Sequence, residues 1–268
     1  MTHEMPVAVV TGATRGAGRG IATALVARGW RVYGTGRSSG DTPDGVVPVQ
    51  VDHRDDAAVA ALFDRVSEDE GRLDLLVNNA AAVADELVSP KPFWEKPLGL
   101  ADVLDVGLRS SYIATWHAAP LLIQPDHGLI AFTSSPGAVC YMHGPAYGAQ
   151  KAGVDKMVAD MAVDFRGTGV ATVSIWMGIL LTEKMRAAFA GNPEGLAQFS
   201  HHAETPEFTG HLIDALYNDP DLDTLSGHAV IGAELALRYG ISDEDGRQPP
   251  SHRDMLGAPR EPSTVVVR

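Results

Sequence analysis

The sequence predicts a three-layer α/β fold around one doubly wound, mostly parallel sheet of seven strands. Short apolar runs alternate with helical segments along the chain, and this order implies parallel pairing through right-handed crossovers. The first run, residues 7–11, is followed by glycines and then by a helix that begins near Gly16 and closes at Gly29. Together these two observations favour the α/β class over an all-α or an all-β fold.

The remaining elements follow in the order that such a fold requires. Strands are predicted at residues 31–35, 46–51, 73–77, 129–133, 170–176 and 229–231, and further helices at residues 55–67, 101–123 and 146–165. Only turn-forming residues lie between Arg37 and Val46, so the crossover between the second and third strands must be abbreviated.

The length and composition predict one domain spanning residues 1–268. A chain of 268 residues with 45% hydrophobic content can bury a full core, and α/β folds often reach this length as one domain. The irregular stretch at about 178–208 follows a strand end, where open α/β sheets bind ligands, and we predict a substrate lid there. The polar, Pro-rich stretch at about 247–268 is predicted to be a surface arm.

Charge and cysteine content exclude several classes of function. The 21 Lys+Arg against 34 Asp+Glu leave a formal charge of -13, which repels nucleic acid and anionic membranes. Cys140 stands alone, so an intrachain disulfide is impossible, and His143, His201 and His202 lack carboxylates at ligand spacing, so we predict no metal. No signal pattern or apolar run of about 20 residues is evident, and we expect a soluble, cytoplasmic protein.

A glycine-rich loop joins the first strand to the first helix. At this position the backbone approaches a pyrophosphate closely, and the positive end of the helix stabilises its charge. The same glycines elsewhere would indicate only a tight turn. The loop residues that we assign to a dinucleotide are Gly12, Thr14, Arg15, Gly16, Ala17 and Gly18.

The G-x-x-x-G-x-G spacing resembles that of the short-chain dehydrogenase/reductase family, which has a Rossmann fold. In that family an acid after the second strand selects NAD, and basic residues there receive the 2′-phosphate of NADP. Gly36 and Arg37 occupy this place, and Arg15 lies in the loop, so NADP(H) is favoured while NAD(H) stays possible. The alternative is that Arg37 is an ordinary solvated arginine.

Two further segments carry the resemblance to the cofactor site. Asp52, followed by His53, matches the family position that touches the adenine ring. Asn78 opens Asn-Asn-Ala-Ala, which matches the family's Asn-Asn-Ala-Gly after the fourth strand, although either asparagine could merely cap a turn. The resemblance therefore implies that Asp52, His53 and Asn78 flank the cofactor.

Tyr147 and Lys151 are four residues apart on a predicted helix, where their side chains share one face. An unperturbed tyrosine has a pKa of about 10, so a nearby ammonium and the oxidised nicotinamide must stabilise the phenolate. Lowering that pKa by about three units requires roughly 4 kcal/mol of differential interaction. The resemblance implies that Tyr147 is the general acid and base and that Lys151 also binds the nicotinamide ribose.

Ser134 completes the catalytic set that the resemblance implies. It stands at the end of the predicted strand 129–133, at the family position of the serine that binds the substrate oxygen. Ser135 is the alternative if the strand end is shifted by one residue. After Trp176, the family's Pro-Gly-x-x-x-Thr segment, which holds the carboxamide, corresponds to residues 177–182 and includes Leu180 and Thr182.

The chain departs from the family at two positions. Gly107 replaces the asparagine of the middle helix whose backbone helps to organise a water relay, and Met177 replaces the proline. Glycine at this place permits a helix distortion that exposes a backbone carbonyl. Residues 71–80, 93–97, 106–109, 134–137, 141–142 and 238–240 nevertheless look like the member-1 group of dehydrogenase/reductases. That group is associated with NADPH-dependent reduction of carbonyl compounds including steroids.

The leading hypothesis is an NADP(H)-dependent oxidoreductase acting on an apolar carbonyl or alcohol. Because Gly107 and Met177 depart from the family, a catalytically silent dinucleotide sensor or structural subunit is the alternative; dehydration or epimerisation would need acid-base groups that are not evident. The family assembles through its two long helices, so a homodimer or homotetramer is expected. The side chains predicted to line an apolar substrate cleft are Trp94, Tyr141, Met142, Met185, Phe189 and Phe199.

Overall fold

Seven parallel strands form the central sheet of the computed structural model, which describes residues 5–268 apart from the side chain of Ser39. The strand order is β3-β2-β1-β4-β5-β6-β9, and a separate two-stranded ribbon pairs β7 with β8. The bounds are β1 Val7–Val10, β2 Arg31–Gly36, β3 Val47–Gln50, β4 Leu75–Asn78, β5 Gly128–Ser134, β6 Val170–Trp176, β7 Ile179–Leu180, β8 Ala203–Glu204 and β9 Ala229–Ile231.

Helices cover both faces of this sheet. Single turns of 3-10 helix lie at Ser39–Asp41, Asp85–Val88, Phe93–Glu95, Leu98–Ala101, Pro136–Ala138 and Glu244–Gly246. The α-helices are α1 Gly16–Ala27, α2 Asp56–Glu70, α3 Asp102–Leu104, α4 Ser110–Leu122, α5 Pro145–Asp164, α6 Glu183–Ala188, α7 Pro193–Ser200, α8 Pro206–Tyr217, α9 Leu222–Leu225, α10 Gly232–Tyr239 and α11 Arg253–Leu256.

The strand order explains where a ligand cleft can form. From β1 the chain passes outward to β2 and β3, and it then returns to place β4 on the other side of β1. The loops after β1 and β4 therefore lead away in opposite directions, and they leave a crevice at the carboxyl edge of the sheet. The predicted seven-stranded, doubly wound fold is confirmed.

Two apolar layers, one on each face of the sheet, form the core. Successive residues of a strand point to opposite faces, and β1 shows this clearly. Val7 and Val9 pack with α2, α4 and α5, whereas Ala8 and Val10 pack with α1 and α8. Both faces are thus covered, which explains why the strands are continuous apolar runs.

The predicted helix at residues 101–123 is not continuous. Val106 has non-helical dihedral angles, and Gly107 has a φ of 140°, in a π-helical segment that separates α3 from α4. A φ of this sign favours glycine, so Gly107 accounts for the break. By contrast, the crossover between β2 and β3 is abbreviated as predicted and contains only the turn Ser39–Asp41.

The region predicted as a lid contains short elements packed over the carboxyl edge. β7 pairs with β8 in parallel, and α6 and α7 lie between them in the chain. Further on, Arg253 of the predicted arm donates two hydrogen bonds to Glu234 on α10. Across residues 5–268, no helix combines the length and the apolar character needed to span a membrane.

Candidate active site

The glycine loop after β1 has the backbone shape that close approach of a ligand requires. Gly12 and Gly16 have φ values of 69° and 55°, in the region that favours glycine. A Cβ atom on Gly18 would lie 2.2 Å from the backbone oxygen of Gly12, so a larger residue cannot fit there. Gly16 is also the first residue of α1, and its N–H belongs to the positive end of that helix.

The other loop residues predicted to bind a cofactor line the same edge. The Thr14 methyl group packs so closely on Gly36 that a Cβ atom at residue 36 would lie 2.2 Å away. Arg15 precedes α1 and Arg37 follows β2, and both side chains are exposed at this edge. Ala17 lies in the first turn of α1 and is partly exposed.

The two asparagines after β4 have different partners. Asn79 donates from its side chain to the backbone oxygens of Thr11, at 2.9 Å, and Gly12, at 3.3 Å. Asn78 instead donates to the hydroxyl of Thr115 on α4, at 2.9 Å. Asn79 therefore holds the glycine loop, a role that sequence reasoning did not assign to it.

Asp52 and His53 lie at different depths. Asp52 is exposed and accepts a hydrogen bond from the backbone N–H of Arg54. His53 is buried, and its Nε2 lies 2.7 Å from the hydroxyl oxygen of Thr35, which also accepts the N–H of Gly12 at 3.1 Å. Burial lowers the pKa of His53 to about 4, so the ring is neutral and supports the loop through Thr35.

Tyr147 lies beside Ser135 at the carboxyl end of β5. The phenol oxygen is 2.9 Å from the Ser135 hydroxyl oxygen, which also accepts the backbone N–H of Gly137 at 3.2 Å. A Cβ atom on Gly137 would lie 2.6 Å from the tyrosine ring, so glycine at this position admits the ring. Burial raises the pKa of Tyr147, and the hydrogen bond with Ser135 opposes that rise.

Ser134, the serine predicted to bind the substrate oxygen, does not contact Tyr147. β5 extends one residue beyond its predicted end, and Ser134 is its last residue, fully buried beside the Asp155 carboxyl. Because the strand end is shifted by one residue, Ser135 occupies the position next to the phenol. The structure therefore favours Ser135, the alternative named from the sequence, over Ser134 as the serine beside the phenol.

Lys151 lies below the tyrosine ring on α5. Its Nζ donates to the backbone oxygen of Thr133 at 3.1 Å and lies 5.6 Å from the centroid of the Tyr147 ring. Burial lowers the pKa of Lys151 to about 8, and the Asp155 carboxylate opposes that shift.

Gly107 brings its backbone carbonyl against α5. The Gly107 oxygen accepts hydrogen bonds from the Gln150 amide at 3.2 Å and from the Ser111 hydroxyl at 3.0 Å. A Cβ atom on Gly107 would lie 3.0 Å from the Gln150 amide nitrogen. Gln150 therefore fills the space that a larger side chain at residue 107 would need.

The segment after β6 is held at three points although it lacks the family's proline. Met177 donates its backbone N–H to Ser134 at 3.2 Å, a bond that proline cannot make. Glu204 accepts the N–H of Gly178 through its carboxyl at 2.9 Å and that of Leu181 through its backbone oxygen at 2.8 Å. Burial raises the pKa of this carboxyl to about 7.

Thr182 and Leu180 lie near the glycine loop, at the carboxyl edge of the sheet. The Thr182 hydroxyl accepts the N–H of Met185 and caps α6, while Leu180 pairs with Glu204. The next residue, Glu183, extends its carboxylate to the N–H of Gly16 at 3.1 Å. The protein's own anion therefore sits at the start of α1, which shows that this position accepts negative charge and fits a pyrophosphate.

The predicted apolar cleft is only partly assembled. Phe189 and Phe199 pack together with ring centroids 5.3 Å apart, whereas Trp94 is 72% and Tyr141 is 81% exposed. Met142 and Met185 are partly exposed.

His143 lies in the loop before α5, where it is half-buried with its ring edge-on to Tyr147 at a centroid distance of 5.0 Å. Burial lowers its pKa, with a smaller contribution from Lys96. Among residues 5–268, no cluster of three His, Cys, Asp or Glu side chains could hold a metal ion.

Comparison with known proteins identifies relatives over most of the chain. The family model described as short chain dehydrogenase matches residues 6–192. The human protein named dehydrogenase/reductase SDR family member 1 is 41% identical over 263 residues, which cover 90% of this chain and 84% of that protein. The mouse protein of the same name is 39% identical over the same shares.

Solved structures share the fold at low sequence identity. A structure of an ElxO variant with NADPH bound has a TM-score of 0.73 at 20% identity, covering 85% of this chain and 97% of that one. The ligand-free aldohexose dehydrogenase of Thermoplasma acidophilum has a TM-score of 0.72 at 22% identity, covering 90% and 98%.

Proposed function

The chain belongs to the short-chain dehydrogenase/reductase family of oxidoreductases, and from this premise we propose that it is an NADP(H)-dependent enzyme that interconverts a carbonyl and a secondary alcohol. The observation that carries the proposal is the 2.9 Å contact between the Tyr147 and Ser135 oxygens beside the glycine loop. A proton donor and a second hydroxyl group thereby face the same reacting oxygen.

Tyr147 donates a proton to the carbonyl oxygen during reduction. Burial raises the pKa of its phenol, which keeps the group protonated at neutral pH and suits the role of an acid. Ser135 already accepts the N–H of Gly137, so its own proton can bind the substrate oxygen. The bound oxygen is thus held while the proton moves from the phenol.

Lys151 stabilises the charge that remains on the tyrosine after proton transfer. Its ammonium group lies against the ring at 5.6 Å from the centroid, in a buried position where charges interact strongly. When bound, the nicotinamide supplies the hydride for reduction or receives it in the reverse direction. The loop residues from Gly12 to Gly18, together with Asn78, Leu180 and Thr182, would hold the dinucleotide.

NADP(H) is the preferred cofactor in this proposal. Arg15 and Arg37 are exposed at the edge of the glycine loop, and the end of β2, at residues 36 and 37, carries no acid. Two guanidinium groups attract a 2′-phosphate, whereas NAD recognition uses an acid for the ribose hydroxyls. The relative with NADPH bound adds fold-level support.

The lid side chains indicate the class of substrate that the enzyme takes. The paired rings of Phe189 and Phe199 give the lid an apolar inner element, which favours an apolar carbonyl compound.

On α4, Tyr112 is 52% and Trp116 is 64% exposed, and such aromatics are typical of an interface, here in a homodimer or homotetramer. A cytoplasmic location is proposed with this assembly.

The first experiment is a titration of the protein with NADPH and with NADH, followed by oxidation of the preferred cofactor with a panel of ketones, aldehydes and steroids. We expect tighter binding of NADPH and turnover that disappears in Tyr147→Phe while cofactor binding persists. Arg37→Ala should weaken NADPH binding more than NADH binding. Cofactor binding without turnover on any carbonyl would favour the silent sensor that Gly107 and Met177 suggest.

A further inference from the structure

One acid below the candidate site has no part in the proposed reaction. Asp155 lies one turn after Lys151 on α5, and helical residues four apart are neighbours. Its two carboxylate oxygens accept hydrogen bonds from β6, one from the Ser174 hydroxyl at 2.6 Å and one from the Trp176 indole N–H at 2.8 Å. The position of the carboxylate is therefore fixed by the sheet, in a partly buried place.

We propose that Asp155 is a positioning residue that acts as the counter-charge of the buried Lys151 and keeps this lysine an ammonium ion in the working enzyme. The inference rests on the proposed function, because it is through Lys151 that Asp155 would act. Asp155 itself touches neither the phenol of Tyr147 nor the Ser135 hydroxyl in the structure. Its effect on catalysis would be electrostatic and transmitted along one turn of α5.

Burying an ammonium group costs free energy unless a counter-charge lies nearby. Lys151 is 6% exposed, and within residues 5–268 its Nζ donates one hydrogen bond, to the backbone oxygen of Thr133. A backbone carbonyl stabilises the ammonium ion but carries no net charge, and a buried lysine without a counter-charge loses its proton readily. Burial lowers the pKa of Lys151 to about 8, and the charge of Asp155 opposes this shift.

The hydrogen-bond donors around the Asp155 carboxylate favour its charged form. Burial raises the pKa of Asp155, and the hydrogen bonds from the Ser174 and Trp176 side chains oppose the rise. Trp176 is fully buried, and its indole N–H, the one polar group of that side chain, donates to this carboxylate. These donors stabilise the charged form of Asp155, which is the form that a counter-charge requires.

Few other charged or titratable groups lie around Lys151 and Asp155. On α5 they are Tyr147 above Lys151, and Lys156, which pairs with Asp160 in solvent. From the predicted arm, Arg260 and Glu261 line a cavity beside Asp155, and His252 stacks on Trp176 with ring centroids 6.1 Å apart. The groups that face the pair from β5 and β6 are the neutral Thr133, Ser134, Ser174 and Trp176 side chains and backbone atoms.

The test is a pH titration of the lysine side chains by NMR in protein labelled with 13C at the lysine Cε atoms. The chain has five lysines, and Lys151→Arg identifies the resonance of interest. Asp155→Asn should lower the pKa of Lys151 by about one unit, the size typical of a neighbouring opposite charge. Asp160→Asn, the matched control, removes the same charge from an exposed position of α5 and should leave the Lys151 pKa unchanged.

Kinetics then link this shift to turnover. If Lys151 acts as an ammonium ion, the basic limb of the kcat/KM profile should move to lower pH in Asp155→Asn by the same amount as the NMR pKa. A shift from about 8 to about 7 reduces the ammonium fraction at pH 8 about fivefold, and kcat/KM should fall accordingly. Asp155→Glu, which restores the charge, should recover part of the lost rate.

The two readouts separate the inference from the proposed function. Equal Lys151 pKa values in Asp155→Asn and Asp160→Asn would overturn the counter-charge role, whatever the enzyme does. An altered pKa without turnover in any variant would instead leave the counter-charge intact and count against the proposed reaction. Should Asp155→Asn fail to fold, wild-type protein still decides, because a Lys151 pKa below about 7 contradicts an ammonium kept at neutral pH.

Discussion

The phenol oxygen of Tyr147 lies 2.9 Å from the hydroxyl oxygen of Ser135, while Ser134 is fully buried on the other side of the chain beside Asp155. The two adjacent serines should therefore differ in their effect on activity. We expect Ser135→Ala to lower kcat about 100-fold, because a hydrogen bond to the reacting oxygen is lost. Steady-state kinetics with the preferred carbonyl substrate measure this effect.

Ser134→Ala is the matched control, since it removes the same hydroxyl one residue earlier. Its kcat should stay near that of the wild type. The reverse order of the two variants would restore the serine assignment made from the sequence.

Glu183 and a bound cofactor cannot both use the N–H of Gly16. The Glu183 carboxylate accepts that N–H at 3.1 Å, although its side chain is 59% exposed. Such an exposed interaction contributes at most about 1 kcal/mol, so removing its charge should tighten NADPH binding up to about fivefold. Fluorescence titration of Glu183→Gln measures the change in Kd.

Glu194→Gln provides the control for net charge, because Glu194 is an exposed acid in the first turn of α7. NADPH should bind this variant and the wild type equally. If both variants tighten binding to the same extent, a general charge effect would replace the competition at Gly16.

Periodicity was enough to predict the sheet and the pairing of Tyr147 with Lys151. Strands buried on both faces give continuous apolar runs, and four residues on a helix bring two side chains to one face. The choice between Ser134 and Ser135 needed more, because a strand end that shifts by one residue turns the next side chain to the opposite face. Element boundaries are set by tertiary hydrogen bonds, here the pairing of Ser134 with Trp176.

The contacts made by Glu183, Glu204 and Asp155 could not be predicted from local sequence. Each of these acids meets a partner distant in the chain: Glu183 contacts Gly16, and Glu204 contacts Gly178. Glu183 lies on a short helix, Glu204 in a two-residue strand and Asp155 on a long helix, and none of these settings carries a local pattern that distinguishes such an acid from a solvated one. Their roles become visible only when the folded chain brings the partners together.

Gly107 provides a test of backbone strain. It has a φ of 140°, and a Cβ atom there would lie 3.0 Å from the Gln150 amide nitrogen. Gly107→Asn should therefore lower the free energy of unfolding by about 1 to 3 kcal/mol, although asparagine is the family residue at this position. Urea denaturation measures the loss.

Gly99→Ala is the control, since a Cβ atom on Gly99 would meet nothing within 4 Å. Its free energy of unfolding should be close to that of the wild type. A stable Gly107→Asn protein would mean that Gln150 can move aside at little cost.

His53 makes the stability of the fold depend on pH in the acid range. Its folded pKa of about 4 lies below the ordinary histidine value of 6.5, so the unfolded chain binds the proton more readily. Stability is therefore complete above pH 6.5 and declines as the pH falls towards 4, by about 3 kcal/mol in total. In His53→Gln this loss should be absent, because glutamine can accept from the Thr35 hydroxyl without titrating.

Free energies of unfolding in urea at pH values from 7.5 to 4 measure the difference, and His201→Gln, at an exposed histidine, should follow the wild-type curve. Parallel curves for His53→Gln and the wild type would show that the ring is protonated in the folded protein at no cost, and the neutral link between Thr35 and His53 would then have to be abandoned.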